Sequence, residues 1–159
     1  MTEWDFLRAG LVLALGGLLL AAGIEDARTR EIADGKNIAI AAIAPFWWWV
    51  NGASLWPGAA IQLGLAAAVF ALFAWAFARG MMGGGDVKLI TALSLWLPLP
   101  TLMTMLVVMS LAGGVVTLAM LVEQCWQRNR NDAVEVPYGV AIAAAGMLVL
   151  GEPILNQFG

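Results

Sequence analysis

The chain carries eleven acidic side chains and no histidine. That absence excludes Ser-His-Asp and Cys-His catalysis and leaves carboxylates, Lys and Tyr as acids and bases. One cysteine, Cys125, gives neither an internal disulfide nor a metal cluster, so no metal and no cofactor is expected. Among the acids, Asp86 stands out. It ends the run Gly83-Gly84-Gly85 between two long apolar stretches, and a carboxylate beside hydrocarbon costs roughly 2.5 kcal/mol or more. The three glycines permit close approach and backbone conformations closed to other residues. A plainer role for Asp86 is to cap the helix that follows. A second carboxylate in a water-poor site would keep its proton while the first ionises, and such a pair can activate water against a peptide carbonyl. Residue types alone leave the partner open among Glu25, Asp26, Glu31, Asp34, Glu123, Asp132 and Glu135.

The elements that must position these acids are membrane helices. Of 159 residues, 62% are hydrophobic and 12% charged, with mean hydropathy +0.85. A soluble domain carries about 25% charged residues, so an all-α polytopic membrane protein is expected, as one domain over residues 1–159. A net charge of −3 without a basic stripe argues against nucleic acid as a partner. Leu7–Ile24 is the first candidate span; Glu3 and Asp5 before it and Arg28 and Arg30 after it reverse the polarity of a signal peptide. Residues 37–78 hold two spans divided by Asn51-Gly52-Ala53-Ser54 and Pro57, and residues 89–122 hold two more, reversing at Pro98 and Pro100. Val136–Leu150 is the last of six, closed by Gly151-Glu152-Pro153. The fourth, Val87–Leu97, gives only about 16 Å of helix, too short for a bilayer of about 30 Å.

An N-terminus outside gathers Arg28, Arg30, Lys36, Arg79, Lys88, Arg128 and Arg130 on one face and leaves Arg8 near the other. The positive-inside rule makes the first face cytoplasmic, with the glycine run at the start of helix 4 there. Trp47, Trp48, Trp49, Trp56 and Trp96 fall at the opposite interface, where anchoring is expected. Gly16-Gly17 and Gly113-Gly114 suit close helix contacts, and the methionines at 103, 105, 109 and 120 read as packing or lipid-facing residues.

Three segments carry a resemblance. Gly83-Gly84-Gly85-Asp86-Val87-Lys88-Leu89 resembles the GxGD motif of type IV prepilin peptidases. Asp26, just past the first span, matches that family's other aspartate, and Pro137-Tyr138-Gly139 resembles the segment opening its last span. The resemblance implies a bacterial inner-membrane aspartyl endopeptidase that removes the short basic leader of a prepilin or pseudopilin on the cytoplasmic side. Asp26 and Asp86 would then be the catalytic pair. Gly83, Gly84, Gly85, Lys88, Pro137, Tyr138 and Gly139 would support them. Between Asp26 and Lys36 there is no room for the soluble insertion with methyltransferase activity found in larger members. The chain is thus similar to the small peptidase-only members of Flp/Tad-type systems (CpaA/TadV-like). Where the family often reads Ile-Pro-Asn, Ile32-Ala33-Asp34 stands here.

Helix dipoles suggest that Asp26, at the end of the first helix, holds the shared proton, and that Asp86, at a helix start, is ionised. Glu25, Glu31 and Asp34 are candidate contacts for a basic leader, and substrate entry from the side is expected, since the bond cleaved adjoins a segment already in lipid. A proton-coupled transporter, a structural subunit of an assembly and a preflagellin- or presenilin-type GxGD peptidase are the competing readings.

Overall fold

The computed structural model describes residues 3–127 and 138–157, and those residues form six helices and no strand. They are α1 (Glu3–Thr29), α2 (Asp34–Val50), α3 (Ala60–Ala78), α4 (Gly84–Ser94), α5 (Leu99–Gln127) and α6 (Tyr138–Gln157), with an irregular segment Leu55–Ala59 leading into α3. Helix α1 begins on Glu3 and Asp5 and ends on Arg28, charges that oppose the helix dipole at each end. Asn51-Gly52-Ala53-Ser54 turns the chain as expected, with Gly52 at φ +67°. Helix α3 stops at a Schellman motif: Gly80, at φ +70°, donates to Phe77 O (2.8 Å) and Met81 donates to Ala76 O (3.1 Å).

Three helical stretches are long and apolar enough to cross a membrane: Glu3–Thr29, Leu55–Ala78 and Leu99–Ala119. Among the described residues those three have spanning length and composition, and Tyr138–Leu150 is an apolar helical stretch of shorter length, so the expectation of six spans is met in part. Helix α4 is the shortest, at 11 residues, about 16 Å. Helix α6 differs from expectation at its far end, where it continues through Gly151-Glu152-Pro153 to Gln157. The proline removes a single helical N–H, which does not suffice to stop the helix.

The short α4 is the centre of the packing. It contacts α2, α3 and α6 and buries Val87, Leu89, Ile90, Ala92, Leu93 and Ser94. Helix α1 lies on α6 and α2, and α5 lies on α6. The close approaches of α1 and α6 use glycines other than those expected. A Cβ on Gly23 would stand 3.0 Å from Ala143 Cβ, and one on Gly146 would stand 3.1 Å from Leu19 Cδ1. Gly16, Gly17 and Gly114 have nothing within 4 Å, while Gly113 lies against the Tyr138 ring.

A helix this short leaves backbone carbonyls inside the bundle, where each must find a donor. Gln62 Nε2 of α3 donates to both Ser94 O and Leu97 O, each at 2.6 Å. Trp48 Nε1 of α2 donates to Leu95 O (2.7 Å), and Trp96 Nε1 donates back to Ile40 O (2.9 Å). Trp47 stacks on Trp96 with ring centroids 5.6 Å apart. The indoles therefore divide. Trp49 and Trp56 are exposed, as anchors would be, whereas Trp96 is buried and Trp47 and Trp48 are half-buried in the packing of α2 on α4. The sequence could not separate the two groups, since both consist of apolar rings with one N–H.

Candidate active site

Asp26 lies in the last turn of α1 and Asp86 in the first turn of α4, and they are only 5% and 7% exposed. Both line one cavity of about 550 Å³, together with Arg30, Glu31, Met82 and Tyr138. An adjoining recess of about 360 Å³ shares the two aspartates and adds Ile32 and Phe77. Sequence reasoning left Asp86 with several possible partners; the fold places Asp26 with it.

The glycines explain how the carboxylates are held. Gly83 precedes α4, and its N–H bonds back to the Asp86 carboxylate, which is one arm of a capping box. The plain capping role is thus part of how Asp86 is oriented. A Cβ on Gly83 would lie 3.1 Å from Asp86 Oδ2, and one on Gly85 would lie 3.2 Å from Ile32 Cβ. The start of α4 therefore presses directly on the loop after α1. Gly84 is less confined, facing the Phe77 ring at 3.4 Å.

Asp26 is held from the other side by the start of α6. Val140 N–H donates to Asp26 Oδ2 at 3.1 Å, and the Gly139 N–H bonds the same carboxylate. A Cβ on Gly139 would stand 2.7 Å from Asp26 Cγ and 2.8 Å from Ile32 Cδ1, so only glycine allows this approach. Tyr138 closes one side of the cavity with its ring against Gly113. Pro137 lies outside the described residues, as do Arg128, Arg130, Asp132 and Glu135.

Asp26, at the end of α1, accepts from two backbone N–H groups at the start of another helix. For Asp86, burial and then the nearby Asp26 charge push the pKa up to about 7, against the single N–H of Gly83.

The three acids expected near a basic leader differ in what they touch. Glu25 is engaged within the protein, bonding Lys36 Nζ and accepting from Ala33 N–H at 2.9 Å. That clamp shapes the loop where Ala33 replaces the family's proline. Asp34 pairs with Lys88 at 2.6 Å on the surface, so Lys88 serves this surface pair and lies outside both cavities. Glu31 is exposed, lines both cavities, and has no ion pair among the described residues. Arg30 also lines both cavities and takes a left-handed conformation (φ 58°), its N–H bonded to Asp26 O at 2.9 Å.

Sequence reasoning anticipated a local cation such as Lys36 for Glu25 but missed the parts played by Ile32 and Val140. Neither has a local signature: Ile32 matters because it fills the space between Gly85 and Gly139, and Val140 contributes only its backbone. Among the described residues, no three His, Cys, Asp or Glu side chains come together as metal ligands would.

These features define a class first: a helical protein with spans of membrane length, in which a buried pair of aspartates faces a cavity at one end of the bundle. Residues 13–118 match the model of the Type IV leader peptidase family, and the chain belongs to that family. The match covers more than half of the chain and includes Asp26 and Asp86; Tyr138 and Gly139 lie beyond it. It is therefore a peptidase of the leader-peptidase kind. No curated protein and no solved structure matched the chain.

Proposed function

We propose that the protein is an aspartyl endopeptidase of the bacterial inner membrane, which removes the basic leader of a Flp/Tad-type prepilin on the cytoplasmic side. The observation that carries this reading is the meeting of Asp26 and Asp86 in one cavity, each held by backbone N–H groups beside a glycine. Asp26, as the carboxylate, takes a proton from a water molecule held between the two acids. The hydroxide attacks the scissile carbonyl carbon as Asp86 gives its proton to the carbonyl oxygen. Collapse of the gem-diol intermediate breaks the C–N bond as one of its hydroxyls returns a proton to Asp86 and the proton on Asp26 passes to the leaving amine. The cytoplasmic assignment follows from the arginines and lysines near the cavity: Arg28, Arg30, Lys36, Arg79 and Lys88.

Glu31 is the acid best disposed to receive a basic leader, being exposed on the cavity wall while Glu25 and Asp34 are already paired. The absence of a soluble insertion between Asp26 and Lys36 supports the Flp/Tad class of substrate.

Co-expression with a Flp-type prepilin tests the reading by the size and N-terminus of the product. The native chain is expected to yield the shortened prepilin, and Asp26→Asn and Asp86→Asn are each expected to leave it intact. Normal cleavage by either variant ends the assignment of that residue.

A further inference from the structure

A second recess opens sideways beside the candidate active site. Helices α2 and α3 both pack on α4 but barely touch each other among the described residues, so one face of α4 is left open between them. Its floor is Lys88 and Thr91 of α4 with Leu95 just past its end, spaced as one helical stripe. Ile38 and Ala41 of α2 form one wall and Phe70 of α3 the other, enclosing about 380 Å³ of mostly apolar groove. Lys88 to Leu95 is two helical turns, about 10 Å of length. Asp34 stands at the groove's polar end and also lines the recess that holds Asp26 and Asp86, so the two spaces adjoin at this residue.

One residue in this groove is out of place among apolar neighbours. Asn37 is 4% exposed, and its Nδ2 donates to Gly85 O at 3.4 Å, next to Asp86 in the chain. Only the amide nitrogen can donate to a carbonyl, which fixes the orientation of the side chain. Asn37 Oδ1 is then left buried with no donor. The nearest hydroxyl along the floor, Thr91, is spent on its own helix, donating to Val87 O at 2.8 Å. A lipid acyl chain carries no N–H or O–H and cannot satisfy this oxygen.

We infer that the groove receives the first two turns of the substrate's apolar helix, immediately beyond the scissile bond, and that Asn37 Oδ1 accepts a backbone N–H from the first of those turns. The inference rests on the leader-peptidase reading above. Every helix begins with four N–H groups that have no partner within it, and in lipid no water is present to take them. The substrate helix brings a donor without an acceptor, and the groove holds an acceptor without a donor. Asn37 is bonded to Gly85, the residue before Asp86, and the groove adjoins the aspartate recess at Asp34, which places the two beside the bond to be cut.

The test uses a synthetic peptide with a Lys/Arg-rich leader ending in glycine, followed by an apolar helix of about 20 residues, in detergent with the full-length chain. In a Cys125→Ser, Asp86→Asn background, Ile38→Cys is expected to form disulfides with cysteines placed along the peptide helix at three- and four-residue spacing. Leu111→Cys, on an exposed position of α5, is expected to form none. With Asp86 restored, replacing one first-turn amide of the peptide by an ester is expected to lower kcat/KM about fivefold. The same ester should have no effect on the Asn37→Leu enzyme. Equal crosslinking at positions 38 and 111, or an ester effect that persists in Asn37→Leu, overturns the groove while cleavage itself stands. Failure of the native chain to cleave the peptide overturns the peptidase reading instead, and is seen before any crosslink is made.

Discussion

At the tryptophan end of the bundle, the carbonyls left free where α4 stops are met by donors from neighbouring helices: Gln62 reaches Ser94 and Leu97, and Trp48 reaches Leu95. Arg8 reaches Val50 O at 3.3 Å, and Trp4 meets Trp49 edge-on at 5.6 Å, closing the same end. At the aspartate end, two carboxylates are buried side by side around a cavity, with one or two backbone N–H groups each. At the first end these carbonyls are satisfied by the chain's own atoms, while Arg8 Nε is buried there without a hydrogen-bond partner among the described residues. The second is left dependent on a proton, and on whatever enters the cavity. Stability is concentrated where the polar groups are paired, and chemistry where they are not.

That contrast breaks first at the aspartates. Asp26→Asn or Asp86→Asn should lower leader cleavage by about 10⁴-fold or to background, measured as product in membranes, with the protein still folded by thermal melt. Gly139→Ala should follow, with about a hundredfold loss of kcat/KM, because its new methyl would occupy space now held by the Asp26 carboxylate. A Gly139→Ala enzyme with native activity would show that the α6 approach is not needed.

The pH profile sharpens the comparison. Asp86 keeps its proton up to about 7, so kcat/KM should fall about tenfold per unit above that pH. The same shift has a sign in stability. Folded Asp86 binds its proton up to about 7, whereas in the unfolded chain it loses it near the ordinary value of 3.8. Between those values the folded state holds more protons, so native stability declines as pH rises through the window. Asp86→Asn removes the effect, and its melting midpoint should exceed the native one by about 5 °C near pH 8 and by less near pH 5. A constant difference between the two pH values would count against a buried, proton-holding Asp86.

The smallest effect on activity belongs to the other end. Gln62→Leu strands the Ser94 and Leu97 carbonyls and should destabilise the fold by about 2 kcal/mol, while kcat/KM well below the melting range stays within about twofold. A large loss of activity without loss of stability would mean that the two ends are coupled.

Much of the aspartate end was legible in sequence, because a carboxylate after three glycines between apolar runs has few explanations. The turn at residues 51–54 and the shortness of α4 were legible for the same reason: glycine, proline and charge punctuate an apolar chain. What was hidden depends on contacts far apart in the chain. Gln62 finds its carbonyls more than thirty residues away, and its type carries no sign of that. Asn37 reads as an ordinary residue of a first helical turn until Gly85 is placed beside it. The hold on Asp26 was hidden for the same reason, since the N–H groups of Gly139 and Val140 come from α6, more than a hundred residues along the chain.

The clamp on the loop after α1 has one further consequence. Ala33 has φ −61° and ψ 132°, a conformation that a proline ring would adopt without strain. A ring would hold that bend by covalent geometry whatever the medium. Here the bend is tied by Glu25 to Lys36 and to the Ala33 N–H, at a surface that solvent reaches, so dissolved ions screen part of the tie. The rim of the cavity thereby becomes responsive to ionic strength: concentrated salt should loosen it, and dilute buffer should hold it to one shape.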